Sequence, residues 1–140
     1  MNRDHEGEEL LILFADLDHL KEINDSFGHI EGDFSIRHCA EVLKKVVGAD
    51  GIVGRIGGDE FCVVTLGNLK DGQQIIERIR EESDAFNCTS DKEYYVELSA
   101  GCTSVICRNG LVIADALREA DRALYEVKKL RRNSVKKIRL

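Results

Sequence analysis

Leu10-Leu11-Ile12-Leu13-Phe14-Ala15-Asp16-Leu17-Asp18 is the stretch on which the fold turns. Its opening apolar run, Leu10 to Ala15, is bounded by polar residues before it and by acid after it. A run that short and that uniformly apolar reads as a strand buried on both faces, at the centre of a sheet. Side chains alternate along a strand, so Asp16 and Asp18 are expected to project from one face near its C-terminal end. Ligand sites in α/β sheets favour that end.

Outward from this strand, Ile52 to Ile56 and Phe61 to Leu66 read as two further short strands. They are joined through Gly57-Gly58-Asp59-Glu60, and adjacent glycines permit the positive φ values of a tight β-hairpin. Two acids are thereby presented at a rigid tip. Between strand and hairpin, a polar stretch from Lys21 to Asp33 holds Gly28 and Gly32. Ile36, Cys39, Ala40, Leu43, Val46 and Val47 then recur at helical spacing, which puts Asp33 by the N-terminus of that helix. Gly48, Gly51 and Gly54 break the pattern. Past the hairpin, Lys70 to Glu82 reads as an exposed amphipathic helix and Tyr94 to Val105 as a strand. Asp115 to Lys129 reads as a helix with Leu117, Ala120, Leu124 and Val127 inward, and Val135 to Leu140 as an edge strand. The organisation is mixed α/β, a single domain over 1–140 with no repeat or linker.

Composition narrows the function. A formal charge of −6 leaves no basic footprint for nucleic acid, and an acidic chain that takes a nucleoside triphosphate needs metal ions to offset the repulsion. No apolar run approaches the ~20 residues of a membrane helix, and no signal peptide pattern opens the chain, so a cytoplasmic location is expected. Cys39, Cys62, Cys88, Cys102 and Cys107 form no CxxC pair, and an odd count spread this way reads as scattered core thiols, not a disulfide framework or a zinc site.

The chemistry lies in the acids. Asp16 at a strand end, with Asp59 or Glu60 on the hairpin tip, supplies hard oxygen ligands from neighbouring strands, the donor type Mg²⁺ prefers and phosphoryl chemistry uses. Each acid alone reads better as an exposed turn residue; the set, with glycines opening the turn, points to a metal.

Four ordered motifs carry a family resemblance. Asp16-Leu17-Asp18-His19-Leu20-Lys21-Glu22-Ile23-Asn24-Asp25 leads into Gly28-His29 and Gly32-Asp33, and Arg55-Ile56-Gly57-Gly58-Asp59-Glu60-Phe61 follows. Ser99-Ala100-Gly101 comes next, and Asp121-Arg122-Ala123-Leu124-Tyr125-Glu126-Val127-Lys128 with Arg132-Asn133 completes the set. Together they resemble the GGDEF domains of diguanylate cyclases over roughly residues 10 to 134. The resemblance implies a palm-like α+β fold of the nucleotidyl-cyclase kind, a central and mostly antiparallel sheet wrapped by helices. It implies condensation of two GTP into cyclic di-GMP by attack of one 3′-hydroxyl on the other α-phosphate, across a symmetric homodimer with one GTP per domain.

By match to those motifs, Asp16, Asp59 and the backbone carbonyl of Leu17 would ligate Mg²⁺ or Mn²⁺. Glu60 would either make a second metal contact or accept the hydroxyl proton, and the sequence leaves both roles open. Asn24 and Asp33 would read the base: a carboxylate accepts from both N1–H and the exocyclic amine of guanine, whereas adenine offers an acceptor at N1. As a bare residue Asp33 reads equally as a helix N-cap acid. Lys128 and Arg132, four apart, share a helix face from which both could reach triphosphate oxygens, and Lys21 is a further phosphate candidate. A solvated basic helix end, interacting with its own dipole, is the lesser alternative for the first two.

Two departures from the pattern matter. Family members usually carry a helix and an Asp-x-Leu-Thr-Gly-Leu-x-Asn-Arg motif before the first strand, of which Asn2-Arg3 is at most a remnant, and a sensory domain beyond that. Many also carry an inhibitory Arg-x-x-Asp product site, but Gly48 and Gly51 stand at its charged positions, so feedback there is not expected. The rival expectation is a catalytically silent domain that binds GTP and serves as a regulatory or dimerisation module.

Overall fold

A computed structural model describes residues 9–49 and 51–106, with Arg122 and Tyr125. The apolar run forms β1 (Glu9–Leu17), one of the two inner strands of a four-stranded antiparallel sheet. The others are β2 (Ile52–Gly57), β3 (Glu60–Leu66) and β4 (Leu98–Ile106), in the order β2-β3-β1-β4. Leu13, Ala15 and Leu17 of β1 face the helices, yet Ile12 and Phe14 on the opposite face are buried as well. Burial on both faces is what the continuous apolar run anticipates.

Two helices cover one face of the sheet. α2 (His29–Val47) contributes Cys39, Val42, Leu43 and Val46 to the core, and α3 (Leu69–Thr89) contributes Ile79. α3 starts at a capping box, in which the Asn68 side chain accepts from the Asp71 N–H and the Asp71 carboxylate accepts from the Asn68 N–H. Gly72, one turn in, lets α3 approach the sheet so closely that a Cβ there would press on Cys102 Sγ and Leu11 Cδ1. Cys39, Cys62, Cys88 and Cys102 are free thiols; burial, with the Asp18 charge adding to it, pushes Cys39 up to about 12. Cys107 lies outside the described residues.

Three boundaries differ from the sequence reading, each for a physical reason. The polar stretch Lys21 to Asp33, in which the sequence signals no element, contains α1 (Leu20–Phe27), and after Gly28 alone α2 begins. Only Ile23 of α1 is buried, so too little apolar periodicity exists to signal a helix. α2 consequently starts at His29, and Asp33 lies in its second turn, not at its cap. α3 runs on past Glu82 to Thr89, because Ser83 is buried and Phe86 packs against the core while their neighbours are polar. β4 starts at Leu98, not Tyr94: the Asn87 side chain takes both the N–H of Val96 (2.9 Å) and its carbonyl (3.0 Å), leaving no strand partner for that residue. Of the helix read over Asp115 to Lys129, Arg122 and Tyr125 are helical and exposed. The remainder, and the edge strand at Val135 to Leu140, fall outside the described residues.

His38 joins α2 to α3. Its ring lies 4.0 Å from that of Phe86 and 6.0 Å from that of Phe34, and among the described residues its buried Nε2 has no hydrogen-bond partner. Burial holds its pKa below the usual histidine value, with Glu41 on α2 and Glu82 on α3 pulling the other way. Glu82 is itself paired with Lys45 at 3.0 Å. A depressed histidine pKa means the fold favours neutral His38, so its contribution is complete above the unfolded value of about 6.5 and is lost as pH falls through that value toward the folded one. The thermal midpoint is therefore expected to drop between about pH 7 and pH 5.5, and to drop less in His38→Phe. Glu31, whose carboxyl is held low by Lys92 and Tyr94, loses its contribution only further into acid. Parallel pH profiles for parent and variant would remove His38 as the cause.

Candidate functional site

The ladder between β1 and β3 places Asp16 directly opposite Glu60, and the ladder to β4 places it opposite Ser99. Asp59 occupies the two-residue loop with Gly58, between the last residue of β2 and the first of β3. That loop is held from both sides. The Leu17 N–H donates to the Asp59 carbonyl at 2.9 Å, and the Arg55 guanidinium donates from Nε and Nη2 to the Gly58 carbonyl at 3.0 and 2.7 Å. Of the two adjacent glycines only Gly58 takes a positive φ, +38°; Gly57 instead sits at a register shift in the β2–β3 ladder.

The result is convergence. Carboxylate oxygens of Asp16, Asp59 and Glu60 lie within 4.8 Å of one another. Asp16 is only 4% exposed, while Asp59 is half-buried and Glu60 exposed, so the group opens outward from the sheet end. Three carboxylates this close repel one another, and a cation between them relieves that repulsion. Oxygen-only donors suit a hard divalent ion such as Mg²⁺ or Mn²⁺ and not a thiophilic one.

Asp18 does not join them. β1 ends at Leu17, and both carboxylate oxygens of Asp18 accept from the fully buried Ser99 hydroxyl, at 2.8 and 2.9 Å. Ser99 stands directly opposite Asp16, so Asp18 reaches the same face, as alternation anticipates, but its carboxylate is turned to that hydroxyl. Leu17 buries its side chain in the core and ties its amide to the hairpin.

Asn24 and Asp33 come from the corner between α1 and α2. The Asn24 side chain lies against the Cα of Gly32, so closely that a Cβ built on Gly32 would overlap its oxygen. Asp33, the next residue, is exposed on α2, and Lys21 is exposed in the first turn of α1. Lys128 and Arg132 lie outside the described residues, so no position is given to either. His29 opens α2 as an exposed residue.

Sequence reasoning missed two structural supports of the site. Arg55 clamps the turn through the Gly58 carbonyl, a role its place in the motif does not announce. Ser99 holds Asp18, which is remote in sequence, so no local pattern pairs them.

Comparison with known proteins agrees with this geometry. Residues 1–134 match the family model described as diguanylate cyclase, GGDEF domain. Among curated proteins, the chain is 38% identical over 128 residues to diguanylate cyclase DgcP of Escherichia coli strain K12, covering 89% of this chain and 37% of that protein. It is 35% identical over 135 residues to diguanylate cyclase DgcP of Pseudomonas aeruginosa, covering 94% of this chain and 20% of that protein. The chain thus spans less than half the length of these relatives. Among solved structures, the active GGEEF domain of a diguanylate cyclase from Vibrio cholerae superposes with a TM-score of 0.78 at 30% identity, covering 87% of this chain and 78% of that one. The GGDEF domain of DgcB from Caulobacter crescentus, solved in complex with c-di-GMP, superposes at 0.77 with 27% identity, over 88% of this chain and 74% of that one. A family match along almost the whole chain, on the antiparallel sheet whose hairpin carries Gly57-Gly58-Asp59-Glu60-Phe61, makes this chain a member of the GGDEF domain family.

Proposed function

We propose that this chain is a diguanylate cyclase domain, which joins two GTP into cyclic di-GMP and releases two pyrophosphates. The observation that carries the reading is the convergence of Asp16, Asp59 and Glu60 oxygens at the end of β1 and the tip of the hairpin. Asp16, Asp59 and the Leu17 carbonyl hold Mg²⁺ or Mn²⁺ there, with Glu60 as a further ligand or as the acceptor of the hydroxyl proton. A bound ion of this kind neutralises charge on the triphosphate and on the departing pyrophosphate.

Asn24 and the Asp33 carboxylate take the guanine edge, Asp33 accepting from N1–H and the exocyclic amine together. Lys21, Lys128 and Arg132 serve the triphosphate. Bond formation joins the 3′-oxygen of one GTP to the α-phosphorus of the other, the bond to the bridging oxygen breaks, and pyrophosphate leaves in line. Because one domain supplies one nucleotide, two domains must face each other, and the same step repeated with the roles exchanged closes the ring. We read the domain as the output part of a longer signalling protein acting in the cytoplasm. Among the described residues no helix is long and apolar enough to cross a membrane.

Two outcomes are expected. Asp59→Asn keeps the turn nearly isosteric while removing a charge, so cyclic di-GMP formed from GTP and Mg²⁺ should fall about a hundredfold or more, the ~3 kcal/mol scale of one lost electrostatic stabiliser. Chromatography of the product checks this, and activity within a few-fold of the parent would sink the metal assignment. Metal-dependent GTP binding without product in the parent would instead favour the silent module. The second variant is Gly32→Ala, which gains up to ~1 kcal/mol of helix propensity while its methyl displaces the Asn24 side chain. Its thermal midpoint should hold or rise, while GTP affinity falls about tenfold, the loss of one hydrogen bond. Unchanged affinity, read by titration calorimetry, would take Asn24 out of the site.

A further inference from the structure

Between α1 and α2 stands a single residue, Gly28, at φ +95°. Its backbone bonds are to its own two helices: its N–H donates to the Asn24 carbonyl at 2.9 Å, and its carbonyl accepts from the Gly32 N–H at 3.2 Å. A one-residue joint in a conformation that favours glycine leaves the angle of the corner to be set by what packs across it.

A segment more than sixty residues downstream does so. The Glu31 carboxylate, in the first turn of α2, accepts from Lys92 Nζ at 2.8 Å and from the Tyr94 hydroxyl at 2.6 Å. Tyr94 stacks obliquely on Phe27 at the end of α1, with ring centroids 5.1 Å apart, and Lys92 Nζ sits 4.5 Å above the Phe34 ring of α2. Tyr94 thereby bonds one helix while packing on the other. The Glu31 and Lys92 side chains are 28% and 30% exposed, so the ion pair is shielded more than an ordinary surface pair. The segment is itself anchored: the Lys92 N–H donates to the Ser90 hydroxyl and Val96 is held twice by Asn87. On the helix side, Glu31 gives its carbonyl to the fully buried Ser35 hydroxyl.

We infer that Glu31, Lys92 and Tyr94 are positioning residues for guanine recognition: they fix the α1–α2 corner so that Asn24 on one helix and Asp33 on the other meet the same base. Glu31 is two residues from Asp33 and next to Gly32, on which Asn24 packs. The inference rests on the proposed reading of Asn24 and Asp33 as base readers. A small rotation at Gly28 separates those two groups without disturbing the acids on β1 and β3, which the sheet holds. Loosening the corner therefore costs base discrimination, not metal affinity.

The test compares affinities for 3′-deoxy-GTP and 3′-deoxy-ITP with Mg²⁺ by titration calorimetry. Both lack the attacking hydroxyl, so binding is read without turnover, and the inosine analogue lacks the exocyclic amine. The parent should prefer the guanine analogue by about tenfold or more, as a hydrogen bond to a charged group implies. Asp33→Ala should bring that ratio close to one. Tyr94→Phe, which removes one oxygen and little packing, and Lys92→Met should each shrink the ratio at least threefold, with Lys92→Arg restoring most of it. Lys45→Met, which breaks the exposed pair to Glu82 between α2 and α3, should leave it unchanged. An unaltered ratio in Tyr94→Phe and Lys92→Met, beside a collapsed one in Asp33→Ala, would overturn the positioning role alone. A ratio untouched by Asp33→Ala would overturn the base-reading assignment and the clamp with it. Equal erosion in Lys45→Met would reduce the effect to general loosening and overturn the clamp as well.

Discussion

The register of β1 against β3 is the constraint from which the site follows. Asp16 faces Glu60 across the ladder, and the Leu17 amide reaches one step further to hold the Asp59 carbonyl. Side-chain alternation makes such a register all-or-none: a slip by one residue would turn Asp16 into the helix-facing core and bring a leucine to the site. Burial of both faces of β1 enforces it, since Leu13, Ala15 and Leu17 have a core to fill on one side while Ile12 and Phe14 are buried on the other. The acids are therefore positioned by hydrophobic packing some distance from them.

Holding three carboxylates together opposes folding, and the hairpin is built to withstand it. Arg55 binds the Gly58 carbonyl twice, placing a guanidinium close to the turn without neutralising the acids themselves. Asp18, a fourth carboxylate in the same neighbourhood, is drawn off by the Ser99 hydroxyl. Oxygens of Asp16, Asp59 and Glu60 are thereby gathered where a divalent cation would find hard ligands.

Where local chemistry decides structure, the sequence was legible. The apolar run of β1, the paired short strands around Gly57 to Glu60 and the break at Gly48 each carry their signal within a few residues, and the hairpin acids follow from them. Elements decided by distant partners were not. α1 buries one residue, Ile23, and so shows no periodicity; the end of α3 and the late start of β4 depend on Asn87 meeting Val96. Asp33 is placed a turn too near the start of α2 by the sequence because the true cap, Gly28, offers a bend and no side chain. The partnership of Glu31 with Lys92 and Tyr94 spans more than sixty residues and has no sequence signature at all.

One short stretch of chain, from Asp16 to Asp33, carries the β1 acid of the proposed metal end together with Asn24 and Asp33, while Asp59 and Glu60 join from the hairpin. β1 delivers the metal-binding end, and His19, in the left-handed conformation at φ 60°, turns the chain straight into α1. One helix later come Asn24 and the Gly28 joint, at the corner proposed to meet the base. A left-handed residue without glycine costs roughly 1 kcal/mol or more, and it is tolerated where surrounding structure over-determines it. Here the Asp18 N–H donating to the Glu97 carbonyl on one side, and the Ile23 N–H donating to the His19 carbonyl on the other, fix the turn. The distance from Asp16 to the α1–α2 corner is then a property of a rigid strand, one strained residue and a two-turn helix. Only the angle at Gly28 remains adjustable, which is why the bonds across that corner matter more than their place at the surface suggests.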